Sequence, residues 1–218
     1  MSAAQDAPSS VKRSLLSSFL PSYVFYSLAL YLVFGLALGI ENLLYFLTLE
    51  HFLRSILWIL PAYVANASPV VVGKVLLSRN RKLHPMDFEK HFIDGRSIFG
   101  KNKTFEGFVF GFAAGSSTAL LLHLLGLHNA TEGGLLALGA LFGDLAGAFI
   151  KRRMGLEPGD PAWILDQVDF LIGSLITRMV FLGLPPPGFV FIILMVTPLI
   201  HMFTNILAYL LRLKNVPW

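Results

Sequence analysis

The chain has 218 residues, 55 % of them hydrophobic and 14 % charged, with a formal charge of +4 and a mean hydropathy of +0.68. That apolar content exceeds what a soluble core of this length needs and excludes an ordinary soluble domain. The absence of cysteine excludes disulfides, thiolate nucleophiles and thiolate metal sites, so any metal must sit on oxygen or imidazole.

Several apolar runs approach the roughly 20 residues that cross a bilayer as a helix. The chain is therefore expected to be an all-α, polytopic integral membrane protein. Residues Met1 to Ser18 are polar and serine-rich, lack the ordered pattern of a signal peptide, and are expected to form a loose tail. The first apolar block, Ser22 to Ile40, is long enough to span, and a shorter ambiguous stretch, Leu43 to Leu49, follows Glu41 and Asn42. The second block, Phe52 to Leu77, is interrupted by Pro61, Asn66, Ser68 and Pro69, which predicts a kink or local unwinding near Asn66. A wet cavity lining and a packing kink satisfied by a neighbouring helix account equally well for that interruption.

Between Ser78 and Lys103 lies a polar loop with Arg79, Arg81, Lys82, Lys90, Arg96, Lys101 and Lys103. The connections at 40–51, 126–131 and 183–188 contain no lysine or arginine. The positive-inside rule therefore places the loops at 78–103 and 151–166, with the C-terminal Arg212 and Lys214, in the cytoplasm. The third block, Thr104 to Leu125, and the fourth, Gly133 to Ile150, carry glycine stripes at Gly107, Gly111, Gly115 and at Gly139, Gly143, Gly147. Such stripes allow close backbone approach, and would bring the two basic loops together if they faced each other.

The fifth block, Phe170 to Leu182, spans only if its helix begins near Leu165. Pro185, Pro186 and Pro187 then form a stiff turn, and Gly188 to Leu211 is the last span. Six crossings, five core spans plus the N-terminal segment, put both termini inside, with Lys12 and Arg13 at one end. The count falls to five if the first block lies in the interface. Residues 1–51 read as a tail plus an additional hydrophobic segment, and 52–218 as the catalytic domain.

The chemistry concentrates between Gly143 and Phe170. Asp144 lies about ten ångströms below the membrane border at 1.5 Å per residue, where an ionisable group is functional by default. Lys151, seven residues on, shares its face, so a structural Asp144–Lys151 pair is the competing explanation. Asp166 and Asp169 share one face of a first helical turn, suited to capping. Capping needs only one acid, however, and two beside a basic cluster and a third acid look like an oxygen-ligand site for Mg²⁺. Asp94-Gly95-Arg96 and Gly100-Lys101-Asn102-Lys103-Thr104 run into the third helix, where glycine, lysine and a helix N-terminus together favour phosphate and Thr104 can serve as N-cap. The six histidines show no metal-ligand spacing.

Three stretches, LPAYVANASPV at 60–70, HFIDGRSIFGKNKTFEGF at 91–108, and GDLAGAFIKRRMGLEPGD with LDQVDF between 143 and 170, closely resemble archaeal CDP-archaeol synthase, a CTP-dependent cytidylyltransferase. A fainter likeness to CDP-diacylglycerol synthases lies in KTFEG, the GD pair, KRR followed by Gly155, and the D-x-x-D ending, although those enzymes usually carry Arg where Gln167 stands here. The resemblance implies a Mg²⁺-dependent reaction of CTP with 2,3-bis-O-geranylgeranylglycerol 1-phosphate, giving the CDP-activated lipid and pyrophosphate. Its partners would be CTP, an isoprenoid glycerol phosphate lipid and the bilayer, with no nucleic acid.

The resemblance also implies functional roles for Asn66, Asp94, Arg96, Asn102, Lys103, Asp144, Lys151, Arg152, Asp166 and Asp169. On this reading Asp144, Asp166 and Asp169 bind the metal, and Lys103, Lys151 and Arg152 contact the triphosphate. Asn66, Asp94, Arg96, Asn102 and Thr104 complete the substrate site. A CDP-alcohol phosphatidyltransferase would need a D-G-x-x-A-R motif that Asp94-Gly95 does not continue, and an anion transporter would bind with the same bases without consuming CTP.

Overall fold

The computed structural model describes residues 19–160, 162 and 164–214. The N-terminal tail, with Lys12 and Arg13, and Pro161 lie outside them. Seven helices and no strands occur among the described residues: α1 (Leu20–Leu38), α2 (Ile40–Phe46), α3 (Leu49–Ser78), α4 (Phe105–Leu124), α5 (Ala130–Arg153), α6 (Leu165–Leu182) and α7 (Pro187–Leu210). Five of them, α1, α3, α4, α5 and α7, are long and apolar enough to cross a membrane. The expected additional crossing is α6, which does begin at Leu165 but carries Asp166, Asp169 and Arg178 within its 18 residues. The ambiguous stretch after the first block is the short helix α2, set off from α1 at Gly39, whose φ of 87° only glycine adopts readily.

Helix α5 is the hub. One of its faces packs on α3 and α4 and another along α6, while α7 lies against α3 and α6. The main core draws Trp58, Ile59, Ala62 and Ala65 from α3, Leu136, Ala137, Ala140 and Leu141 from α5, Phe170 and Leu171 from α6, and Ile193 from α7. A smaller cluster of Leu43, Phe191 and Ile192 joins α2 to α7, and α1 packs on α7 beside it.

The two glycine stripes do not face each other. On α4, a Cβ added at Gly115 would come within 2.6 Å of Ala137 Cβ and 2.8 Å of Ala65 Cβ, and one at Gly111 within 2.8 Å of the Ala65 carbonyl oxygen. This stripe therefore packs on α3 and on the Ala137 face of α5. The stripe on α5 packs on α6: a Cβ at Gly139 would lie 2.7 Å from Ser174 Cα, one at Gly143 2.9 Å from Phe170 Cα, and one at Gly147 would overlap the Asp169 carboxylate. The cause is helical phase, because Gly139 is two residues beyond Ala137 and so about 200° around the helix.

Of the kink or local unwinding expected near Asn66, the unwinding is absent, since α3 runs unbroken from Leu49 to Ser78 through both prolines. Pro69 leaves the Ala65 carbonyl without its helix donor. Gly111, having no side chain, lets the α4 backbone close over that carbonyl. The same problem recurs in α7, where Pro198 deprives the Leu194 carbonyl of a donor. Here the Tyr26 hydroxyl of α1 donates to Leu194 O at 2.9 Å, and Tyr23 donates to the next carbonyl, Met195, at 3.0 Å. In a bilayer no water would replace these donors, so α1 supplies a hydrogen bond that the core bundle lacks.

At the end of the bundle remote from Lys151, Glu132 in the first turn of α5 accepts from Trp58 Nε1 of α3 and from Arg178 Nε of α6, each at 3.0 Å. This clasp joins three helices around one carboxylate.

Replacing Tyr26 by Phe is expected to destabilise the detergent-solubilised protein by about 1–3 kcal/mol, because a buried carbonyl is left unsatisfied. Tyr23→Phe should cost less, since Met195 has Leu199, not a proline, as its helix donor. Thermal unfolding of the two variants checks that order.

Candidate active site

The loop between α3 and α4 is organised by a residue that the sequence motifs did not single out. Asp87, 4 % exposed, accepts the Glu89 amide on Oδ1 at 3.0 Å and the Phe99 and Gly100 amides on Oδ2 at 2.9 and 2.8 Å. Burial raises its pKa, but the amides of Gly100, Phe99 and Glu89 outweigh burial and hold the carboxyl below its ordinary value. Gly100 has φ 92° and sits against Pro158, which brings the 155–160 turn onto this loop. Backbone bonds from Met86 N to Lys103 O (2.8 Å) and Phe105 N to His84 O (2.9 Å) pin the end of the loop at α4. Thr104 then caps that helix as expected, its hydroxyl accepting Gly107 N at 3.2 Å.

So anchored, Lys103 reaches across to α5 and donates to both carboxylate oxygens of Asp144 at 2.6 Å. The Asp144–Lys151 pair, the competing explanation for a buried Asp144, is not formed. Lys151 instead pairs with Asp166 Oδ1, whose other oxygen accepts the Ala162 amide at 2.8 Å. Neither acid caps α6: the Ala162 amide that Asp166 accepts lies before the helix, and Asp169 accepts only the amide of its neighbour. Asp169 is 7 % exposed, accepts its neighbour Phe170 N at 2.6 Å and packs on Gly147. Burial works against the Lys103 ammonium, but Asp144, with the charges of Asp169 and Asp166 behind it, outweighs burial and raises its pKa. The three acids and two lysines therefore form one electrostatic unit, built from the first loop, α5 and α6.

Arg152 adds a third cation. Only 5 % exposed, it has no protein hydrogen-bond partner for Nε or Nη1, and Nη1 lies beside Gly100. A buried guanidinium with open donors suits an anionic ligand.

Asp94 and Arg96 are placed differently from the other predicted residues, because they join the two basic loops. Asp94 pairs with Arg153 Nη1 at 3.0 Å, and Arg96 Nη1 donates to the Arg153 and Arg152 carbonyls at 2.7 and 3.3 Å. Arg153 also lies over the rings of Phe92 and Phe149, 5.0 and 4.8 Å from their centroids. Arg153 directly follows Lys151 and Arg152 in the sequence, but helical rotation turns it to a separate docking task. Asn102 is exposed on the loop and Asn66 half-buried in α3, and neither enters the lysine–aspartate pairs.

No group of three or more acids and histidines is gathered closely enough for a preformed metal cage among the described residues. The donor set still fits Mg²⁺: every nearby ligand is a carboxylate oxygen, and the ion typically needs only one or two of them when phosphates and water supply the rest.

In comparison with known proteins, the profile of the family described as CarS-like: CDP-archaeol synthase matches residues 46–218. A CDP-archaeol synthase of Thermofilum pendens is 46 % identical over 206 residues, 94 % of this chain and 98 % of that protein. That of Pyrococcus furiosus is 45 % identical over 172 residues, 76 % of this chain and 98 % of that one. A solved structure described as an intramembrane enzyme for archaeal membrane lipids biosynthesis is 40 % identical, with a TM-score of 0.61, and covers 71 % of this chain and 94 % of its own.

Because the folded pKa of Asp87 lies below the unfolded carboxylate value of about 4, its stabilisation is present above that pH and lost as the pH falls through the folded value. Asp87→Asn is expected to speed hydrogen exchange at the Phe99 and Gly100 amides at neutral pH at least tenfold, with smaller effects in α5.

Proposed function

The chain belongs to the CDP-archaeol synthase family and is a multi-pass membrane cytidylyltransferase that uses CTP, and we propose that its acceptor is 2,3-bis-O-geranylgeranylglycerol 1-phosphate and that it requires Mg²⁺. The observation that carries the proposed site is convergence: Lys103 from the first loop and Lys151 and Arg152 from the end of α5 gather beside three acids, and Arg152 keeps buried donors open.

In the proposed reaction a lipid phosphate oxygen attacks the α-phosphorus of CTP. A new P–O bond forms as the bond from the α-phosphorus to the bridging oxygen breaks, and pyrophosphate leaves with that oxygen. A phosphate monoester has a second pKa of about 6, so the nucleophile is mostly ionised at neutral pH and no dedicated base is needed. What remains for the protein is to hold two anions in line and to stabilise charge on the leaving group.

Lys151 and Arg152, at the end of α5, are proposed to receive the β- and γ-phosphates, and Lys103 the triphosphate from the α4 side. Each lysine is oriented by its aspartate, so the cations are held before substrate arrives. Asp144 and Asp169, with Asp166 beside them, would hold Mg²⁺, which when bound neutralises phosphate charge and polarises the phosphorus centre. Asn102 at the exposed loop and Asn66 in α3 are proposed to contact the nucleotide. Asp94 and Arg96 act by keeping the two basic loops docked, and Thr104 by starting α4 so that Lys103 faces Asp144. A cytoplasmic-facing site at the cell membrane is proposed, supported by the positive-inside rule applied to the basic loops.

The testing experiment is pyrophosphate release by detergent-purified protein given CTP and Mg²⁺, with and without the lipid phosphate. Release should require all three, and chelation of the metal should abolish it. Release without lipid, or none from folded protein with every component present, would overturn the proposed reaction.

Asp169→Asn, nearly isosteric against Gly147, is expected to lower kcat at least a hundredfold with an unchanged thermal transition, and retained turnover would remove Asp169 from the site. Arg152→Gln should raise the KM for CTP about tenfold or more, on the scale of a charged hydrogen bond lost.

A further inference from the structure

The end of α7 brings a group to this site that neither the motifs nor the reaction has used. After Leu210 the helix stops, and Arg212 takes a left-handed φ of 57°, unusual for a residue with a side chain. That turn folds the chain back on its own helix, with Leu213 N donating to the Ala208 carbonyl at 2.8 Å and Lys214 N to the same carbonyl at 3.3 Å. The Lys214 side chain consequently runs back along α7, where its ammonium donates to Asn205 Oδ1 at 3.0 Å. Asn205 Nδ2 is in turn 3.2 Å from His201 Nδ1, and the His201 ring lies nearly parallel to Phe170, 6.5 Å between centroids. Phe170 is the residue whose amide binds Asp169. A continuous chain of contacts thus leads from Lys214 to the buried carboxylate of the site.

We propose that Lys214 is a substrate-binding residue, its ammonium held by Asn205 and the Arg212 turn so that it receives a phosphate group of one of the two substrates. The inference rests on the reaction proposed above and extends it to a residue at the far end of the chain. Two anions must be brought into line, and the three cations already assigned all come from the 103–152 region. Lys214 comes from a different element and from the border end of an apolar helix, the depth at which a lipid headgroup phosphate lies. Its surroundings agree: burial, against the opposing charge of Asp166 and with the charges of Lys103 and Lys151, lowers the Lys214 pKa, so these groups share its field and an arriving phosphate would stabilise its protonated form. The phosphate could belong to the lipid monoester or to the nucleotide, and the chemistry that recognises it is the same.

The test is equilibrium titration of the purified full-length protein with CTP and Mg²⁺ and, separately, with the isoprenoid lipid phosphate, accompanied by steady-state pyrophosphate release. Lys214→Ala is expected to weaken binding of one ligand about tenfold and raise the corresponding KM, with kcat changing less. Lys214→Arg should recover most of the loss, and Asn205→Ala should lower the same affinity by a smaller factor. A loss confined to the lipid identifies its phosphate as the partner, and a loss confined to CTP identifies the nucleotide's. Unchanged affinity for both ligands in Lys214→Ala overturns the inference and leaves the reaction standing. An equal loss in kcat and thermal stability with both affinities intact also overturns it, by making Lys214 only a helix-end residue. Wild-type protein that binds both ligands without releasing pyrophosphate overturns the reaction, while the binding arms still decide Lys214. Wild-type protein that binds neither overturns both.

Discussion

Charge inside an apolar bundle must be matched group by group, and the rest of this structure follows from that constraint. Asp144 and Asp169 lie within helices whose other residues are mostly apolar, where an unpaired carboxylate costs several kcal/mol. Lys103, from the preceding loop, pairs with Asp144, and Lys151, at the end of α5, pairs with Asp166 one turn before Asp169, so that Asp169 lies in the field of both lysines without an ion pair of its own among the described residues. The loop architecture exists to make this possible. Asp87 binds the amides that shape the 99–100 turn, Arg96 and Arg153 bind loop to loop, and Lys103 is thereby delivered to a fixed point. An arrangement of this kind is also suited to catalysis, because cations already oriented by acids need little reorganisation when a polyphosphate arrives.

The same logic governs the backbone. Pro69 in α3 and Pro198 in α7 each free a carbonyl at membrane depth, and the two are answered by different devices. For Ala65 it is the close approach of Gly111, and for Leu194 it is the hydroxyl of Tyr26. The second device comes from α1, which precedes the family-matched region and makes its contacts with α2 and α7. Because α7 carries His201 and Asn205 beyond Pro198 and leads to Lys214 just past its end, the N-terminal helix braces the element from which Lys214 is proposed to reach the site.

Much of this was legible in the amino-acid order. Run length and hydropathy defined every long helix to within a few residues, since a span must be apolar along its whole length whatever its neighbours are. Thr104 was readable as an N-cap because capping involves only residues three apart, and Asp166 and Asp169 were readable as a pair for the same reason. The three long motifs carried the family, and with it the acids and bases proposed for the site. Asp87 has no local signature in the sequence, because its role depends on amides twelve and thirteen residues away.

By itself, then, the sequence determined what acts within a single turn or a single span: which segments are helices, where they begin, and which chemistry the basic ends of those helices can support. Pairing was decided by tertiary structure alone. Lys151 shares a helical face with Asp144, yet α6 places Asp166 closer, and the loop carries Lys103 to Asp144 instead. The glycines of α4 and α5 advertise close contacts but not their partners, since two residues of phase on α5 turn one stripe toward α6 and leave Ala137 facing α4. Spacing along a chain sets the angle of a side chain about its own helix, whereas the partner it meets depends on the packing of every other helix at once.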